Sequence, residues 1–340
     1  MHPSKRIKRV ALLASLATIG FILLQESITS IDIARKTSLP DDVATDIEDV
    51  TDPLKSTDTA VFWHIPKDSG SSMKAYYACM GLVEASDMSQ REGHDHDKNL
   101  QVWELNGHKF VNVDTTREDG MLRAKNLGLP ESGLADVVFT MFPRAASKVF
   151  NPEHEGRLFA FFRHPVDRAV SLFYYRQVAE WEERLGVYRP DFAEMKIEDW
   201  ILGEKSLDQE TNFMVRMLIN NHVDPITEAD FENAKEILHA KVLVGLVSKM
   251  EESVNRFDTY FGWNENEKRE ECLDHWVRNG TNKNTHKKLR EGSEAWKKLE
   301  RMNDYDVRLY EYAVQLFEEQ GRVFERSGKV GHKQTVSSTY

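Results

Sequence analysis

The sequence predicts an α/β fold: a parallel sheet flanked by helices, in a single globular domain. Three observations carry that reading. Two short apolar runs, residues 60–65 and 158–162, each lead through a turn holding a basic residue into a helical pattern, so a strand-turn-helix unit recurs. Further apolar runs at 136–142 and 241–247 alternate with stretches of helical spacing, the order that builds parallel sheets. The 340 residues are 40% apolar and 30% charged, enough for a sizeable core.

Taken in order, residues 1–24 read as a targeting segment. Lys5, Arg6, Lys8 and Arg9 form a basic flank before an uncharged, mainly apolar run at 10–24. This suits a cleaved signal peptide or a short signal anchor with the basic flank in the cytosol. Residues 25–58 hold nine acids against three bases, with two prolines, and read as a flexible acidic stem. The domain is expected at 59–325 and a polar tail at 326–340. The formal net charge of −11 argues against a nucleic-acid partner. Cys79 and Cys272 are the only cysteines. They form no metal site; they either pair in an oxidising compartment or stay as buried thiols. Asn279-Gly280-Thr281 is a glycosylation sequon, which agrees with a luminal domain.

The first unit is FWHIPKDSGSSMK, residues 62–74. Val61, Phe62 and Ile65 suit a buried strand, and Pro66 ends its ladder for want of an N–H. Small residues follow, then Met73, Tyr76, Tyr77 and Met80 at helical spacing. Such a turn directs free N–H groups and the positive end of a helix dipole at an anion, and Lys67 adds a full charge. The Walker A spacing is absent, since Lys67 precedes Gly70.

Asn106-Gly107 between the runs 100–105 and 108–114 predicts a hairpin, whose second arm suits the next parallel strand. Residues 117–128 read as helix and 136–142 as the third strand. In the second unit, RLFAFFRHPVDRAVSLFYY, Pro165 fits a first helical turn and Arg163 offers a planar fork for phosphate. Ser171 lies eight residues beyond Arg163. Trp181 and Trp200 flank a stretch that suits part of an acceptor cleft or simple helix packing. Helices at 211–219, 228–238, 250–261 and 305–317, a strand at 241–247 and a basic segment at 276–294 complete the chain.

Both units resemble motifs of one family. His64-Ile65-Pro66-Lys67, Gly70 and Ser72 match the 5′-phosphosulfate loop of sulfotransferases that use 3′-phosphoadenosine-5′-phosphosulfate (PAPS), with Ser71 in place of Thr. Asp68 and Ser69 depart from it. Arg163 and Ser171, eight apart, resemble the family's 3′-phosphate motif. The chain is thus similar, over residues 60–265 and more loosely to 320, to the luminal carbohydrate sulfotransferases, type II membrane proteins of the Golgi. The resemblance implies a P-loop-like fold, PAPS as donor, a carbohydrate hydroxyl as acceptor and no metal. It implies a donor site of Lys67, Gly70, Ser71, Ser72, Arg163 and Ser171, with the segment after the last strand closing over the nucleotide.

Sulfuryl transfer needs a group that stabilises the leaving phosphate and a base for the attacking hydroxyl. Lys67 suits the first task. For the second, relatives carry a His at the end of the third strand, where this chain reads Thr140-Met141-Phe142. Asp114 and Glu118, after the second strand, are the expected catalytic carboxylates. His94 and His96 are a remoter choice. His108 and His154 precede their strands, and His164 belongs by resemblance to the donor side. Two other functions compete. A P-loop kinase fits the Walker-B-like Val111-Asn112-Val113-Asp114 but lacks the Walker A lysine. A luminal nucleotide- or sulfoglycan-binding relative without activity fits the carboxylate of Asp68 and the missing third-strand His.

Overall fold

The computed structural model describes residues 39–87, 97–203, 211–279 and 286–330. Its strands are β1 (Thr59–Trp63), β2 (Val83–Ser86), β3 (Val102–Leu105), β4 (His108–Asp114), β5 (Val137–Thr140), β6 (Gly156–Phe162) and β7 (Val242–Leu246). They form one sheet in the order β3-β4-β2-β5-β1-β6-β7. Every neighbouring pair is parallel except β3 with β4. Those two are joined through Asn106 and Gly107, both at positive φ, the backbone a two-residue hairpin turn requires. β1, β5, β6 and β7 are buried along their whole length, which is why they read as continuous apolar runs.

The α-helices are α1 (Asp41–Asp46), α2 (Gly70–Cys79), α3 (Glu118–Asn126), α4 (Leu129–Ser132), α5 (Pro143–Ser147), α6 (Pro165–Arg176), α7 (Ile197–Leu202), α8 (Phe213–Ile219), α9 (Glu228–Lys241), α10 (Met250–Phe261), α11 (Arg269–Leu273), α12 (Glu294–Met302) and α13 (Asp304–Val330). Alternate residues of β1 divide the core. Ala60 and Phe62 join Met73, Tyr76 and Tyr77 of α2 and Phe257 of α10. Val61 and Trp63 join Met121 of α3, Met214 of α8, Ile237 of α9 and Leu316 of α13. A third cluster gathers α6 with Phe192, Trp200, Leu289 and Trp296. Trp200 therefore belongs to the core. A disulfide between Cys79 and Cys272 ties α2 to α11.

The stem expectation is corrected where it can be seen. Leu39, Val43 and Ile47 are buried in the main core, and Ile47 makes a parallel bridge with Gly156. Buried Lys241 donates to the Ile47 carbonyl at 2.6 Å. Arg157, 1% exposed, donates to the carbonyls of Asp49, Asp52 and Pro53 at 2.7 to 2.9 Å and pairs with buried Asp58 at 2.7 Å. Composition suggested a free linker, but these residues are fastened to β6 and α9. The membrane segment expected at 1–24 and the first part of the stem lie outside the described residues. Among the described residues, no helix is long and apolar enough to cross a membrane.

Candidate functional site

β1 and β6 are adjacent and parallel, yet the chain leaves them in opposite directions. From β1 it passes through α2 to β2, on the β5 side; from β6 it passes through α6 towards β7. Such a reversal opens a crevice at the carboxyl ends of the strands, where ligands of open α/β sheets gather. Both sequence-predicted motifs sit there.

The loop after β1 is bent by two non-glycine residues in the left-handed region, Lys67 at φ 74° and Ser69 at φ 71°. Bends of this kind leave successive N–H groups unpaired and facing one concavity. Among the described residues, the N–H groups of Lys67, Ser69, Gly70, Ser71 and Ser72 donate to no protein acceptor. Gly70 is required by a close approach: a Cβ there would stand 2.0 Å from Cδ2 of His64. The His64 ring is held neutral under the loop, its pKa pushed down to about 4 by burial and by the charges of Lys74 and Lys67. Ser71 is exposed and Ser72 half-buried at the start of α2.

Arg163 follows β6 directly, beside that loop. Its N–H donates to Oδ2 of Asp68 at 3.1 Å, and its guanidinium donates to the Lys67 carbonyl at 3.3 Å. Among the described residues this is the guanidinium's one hydrogen bond, so most of the fork stays open. Asp68 is 1% exposed. Burial pushes its carboxyl well above the usual range, against the pull of Arg168 and Arg163. It is turned inward as a structural acceptor rather than offered to an anion. His164 caps α6, its Nδ1 accepting from the Val166 N–H at 3.3 Å, and its ring stacks on Trp296.

Ser171 lies on α6 one turn before Tyr175, on the same face, and its hydroxyl makes no hydrogen bond among the described residues. The Lys67 ammonium sits 3.7 Å over the Tyr175 ring. Its pKa is pushed down to about 8, by burial first and by the Arg163 charge second. The basic segment also meets α6: His286 stacks on Tyr174 at 4.9 Å and Leu289 is buried in the α6 cluster. Residues 280–285, which include Lys283 and two sequon positions, lie outside the described residues.

The structure thus brings Lys67, Gly70, Ser71, Ser72, Arg163 and Ser171 to one crevice. It does not bring the expected catalytic carboxylates there. Asp114 ends β4, three strands from β1, roughly 14 Å at the usual strand spacing. Its Oδ1 accepts from the N–H and hydroxyl of Thr116 at 3.0 and 2.6 Å, closing a local turn. Glu118 opens α3 on that same remote strand's connection. His94 and His96 lie outside the described residues. His154 lines a hollow with Asp58, Asp136 and Trp263, at the amino ends of β1 and β5. His108 lines another beside Cys79.

Sequence reasoning missed Tyr175 and Glu182. The Tyr175 hydroxyl donates to Oε1 of Glu182 at 2.6 Å, and Trp181 Nε1 donates to the same hydroxyl at 3.3 Å. Tyr175 was findable, four residues after Ser171 on one helical face; Glu182 was not, because it follows the helix in an irregular turn. No protein-family model matches the chain, and no curated protein does.

Proposed function

We propose that the protein is a sulfotransferase that moves the sulfuryl group of PAPS to a carbohydrate hydroxyl in the secretory pathway. One observation carries the reading. Two motifs 96 residues apart, each resembling one half of a PAPS site, meet at the reversal between β1 and β6. Between them lie open N–H groups, an open guanidinium and a lysine without an anionic partner among the described residues. On this reading the sheet is a P-loop-like variant in which Lys67 precedes the loop glycine.

The residues divide the work by chemistry. The N–H groups of 69–72, with the hydroxyls of Ser71 and Ser72, hold the 5′-phosphate at the start of α2. Arg163 and Ser171 hold the 3′-phosphate and set the donor's register. Lys67 faces the oxygen bridging sulfur and the 5′-phosphate, where charge develops as the S–O bond breaks. Burial and Arg163 disfavour the lysine's charge in the free protein, and an arriving phosphate restores it. Residues 286–290 flank the nucleotide beside α6. The wider setting follows the same reading: residues 1–24 anchor the chain in the Golgi membrane, with the domain luminal and glycosylated at Asn279.

Calorimetric titration with PAP, the desulfated product, tests the reading without knowledge of the acceptor. Binding in EDTA supports it. Binding of Mg–ATP but not PAP would instead select a kinase. PAP binding with neither transfer to any glycan nor donor hydrolysis would select a non-catalytic relative.

A further inference from the structure

Transfer to a hydroxyl also needs a group that takes the acceptor's proton. We infer that the turn after α6, residues 180–185, is the acceptor side of the site, with Glu182 as general base and Trp181 as the platform for a sugar ring. The inference rests on the sulfotransferase reading and gives it a substrate face.

Position is the first argument. Lys67, Tyr175 and Glu182 form a contact series: ammonium over ring at 3.7 Å, then hydroxyl to carboxylate at 2.6 Å. Asp68 is also close to Lys67, but it is buried beneath the loop against the Arg163 N–H. Asp114 ends a strand three places away, and Glu118 opens the helix that follows it. Among the described residues, Glu182 is the half-buried carboxylate that this contact series joins to Lys67.

Availability is the second. Tyr175 occupies Oε1, and Oε2 has no partner among the described residues. Burial and the bond to Glu182 push the Tyr175 phenol up, so it stays a donor and holds the carboxylate in one orientation. Glu182 has φ −105° and ψ 17° inside its turn, the bridge region where many active-site residues sit. Among the described residues, Lys67 and Tyr175 are titratable groups set against it.

The third argument is surface chemistry. Trp181 is 71% exposed, flanked by Val178 and Leu185, also exposed. Its Nε1 is tied to the Tyr175 hydroxyl, so the indole is held in place while its ring faces solvent. A fixed aromatic surface beside a carboxylate suits a pyranose, which offers an apolar C–H face and hydroxyl edges.

The step balances. The acceptor oxygen forms a bond to sulfur as the bond from sulfur to the 5′-phosphate oxygen breaks. The hydroxyl proton passes to Oε2 of Glu182, and the bond's electron pair stays on the phosphate oxygen facing Lys67.

The test uses the full chain, PAPS with a radiolabelled sulfuryl group, and a panel of desulfated glycosaminoglycan and N-glycan oligosaccharides. Hydrolysis of PAPS by water is followed in parallel. Glu182→Gln is expected to lower transfer by about 10²–10⁴-fold while PAP affinity stays within about threefold. The limb of the wild-type pH profile that rises as a carboxylate loses its proton should vanish in Glu182→Gln and return, displaced, in Glu182→Asp. Tyr175→Phe separates the base from a mere prop: it breaks the same hydrogen bond but keeps the ring, and should lose much less than Glu182→Gln. Trp181→Ala should raise KM for the glycan. Equal losses in Tyr175→Phe and Glu182→Gln, or turnover by Glu182→Gln within about threefold of wild type, would overturn the inference and leave the sulfotransferase reading standing. No PAP binding by the wild type would remove both.

Discussion

Arginines stand at the two ends of β6, Arg157 within the strand and Arg163 just beyond it, and the two are chemically opposite. Arg157, at the amino end, is saturated: three carbonyls, the Asp58 carboxylate and the Tyr260 hydroxyl take its guanidinium. Arg163, at the carboxyl end, gives its guanidinium one carbonyl at 3.3 Å and stands half-buried beside Lys67. A buried guanidinium needs every donor met, and the fold meets them at Arg157 by folding 49–53 around it. At Arg163 most of the donors stay open. On the proposed reading the contrast separates an arginine that holds the protein together from one that is kept for a ligand.

The largest effect expected from breaking this contrast is on stability. Arg157→Ala leaves Asp58 buried without its counter-charge and releases 49–53 from β6. A loss of about 3–5 kcal/mol is expected, as for other broken buried pairs, read by denaturant unfolding. PAP affinity of the folded fraction should be unchanged. A loss below about 1 kcal/mol would mean that Leu39, Val43, Ile47 and the Lys241 contact hold the strap without Arg157.

Next comes Lys67→Ala, expected to lower kcat by roughly 10²–10³, about 2.7–4 kcal/mol of barrier. PAP affinity should fall less, because the loop N–H groups remain. A solvated lysine would show no change in either quantity.

Arg163→Ala should weaken PAP binding by about 1.5–3 kcal/mol with little change in unfolding. Arg163→Lys should recover part of this, an ammonium being unable to match the fork.

The smallest effect is on pH. The Lys67 pKa is held down to about 8 from an ordinary 10.5, so its charge is present below 8 and lost as pH rises through it. PAP affinity should hold steady below pH 8 and then fall, by at most about tenfold per pH unit. Lys67→Met should flatten that slope. The same depression means the folded chain binds fewer protons than the unfolded one between pH 8 and 10.5. Stability therefore gains from this group as pH rises through that window. An affinity that is flat from pH 7 to 10 in the wild type would place the ammonium away from the anion.

Much of this crevice was legible in the sequence because its signals are local. Pro66, the small residues 69–72 and the spacing of Met73, Tyr76 and Tyr77 specify a strand, a loop and a helix without reference to the rest of the chain. The same holds for Arg163 before Pro165, and for Asn106-Gly107 at the hairpin. What was not legible depends on sheet order and on contacts between distant segments. Asp114 and Glu118 follow the second predicted strand, and nothing in their spacing shows that β2 and β5 lie between β4 and β1. The acidic composition of 39–53 concealed its packing, which Leu39 before α1, Val43 within it and Ile47 at its bridge to Gly156 each reach from a different local conformation. Glu182 reached the site only through Tyr175, a pairing no local pattern records. Asp68 looked like a fault in an anion loop; its burial against the Arg163 N–H makes it part of the loop's frame.

The central claim is that structure and ligand binding are divided between the arginines at the two ends of β6. The most direct measurement takes PAP affinity and unfolding free energy on the same preparations of wild type, Arg157→Ala and Arg163→Ala. The account predicts a crossed result: Arg157→Ala loses stability and keeps PAP affinity, whereas Arg163→Ala keeps stability and loses roughly 10- to 150-fold in Kd. An Arg163→Ala protein that binds PAP as tightly as wild type would contradict it.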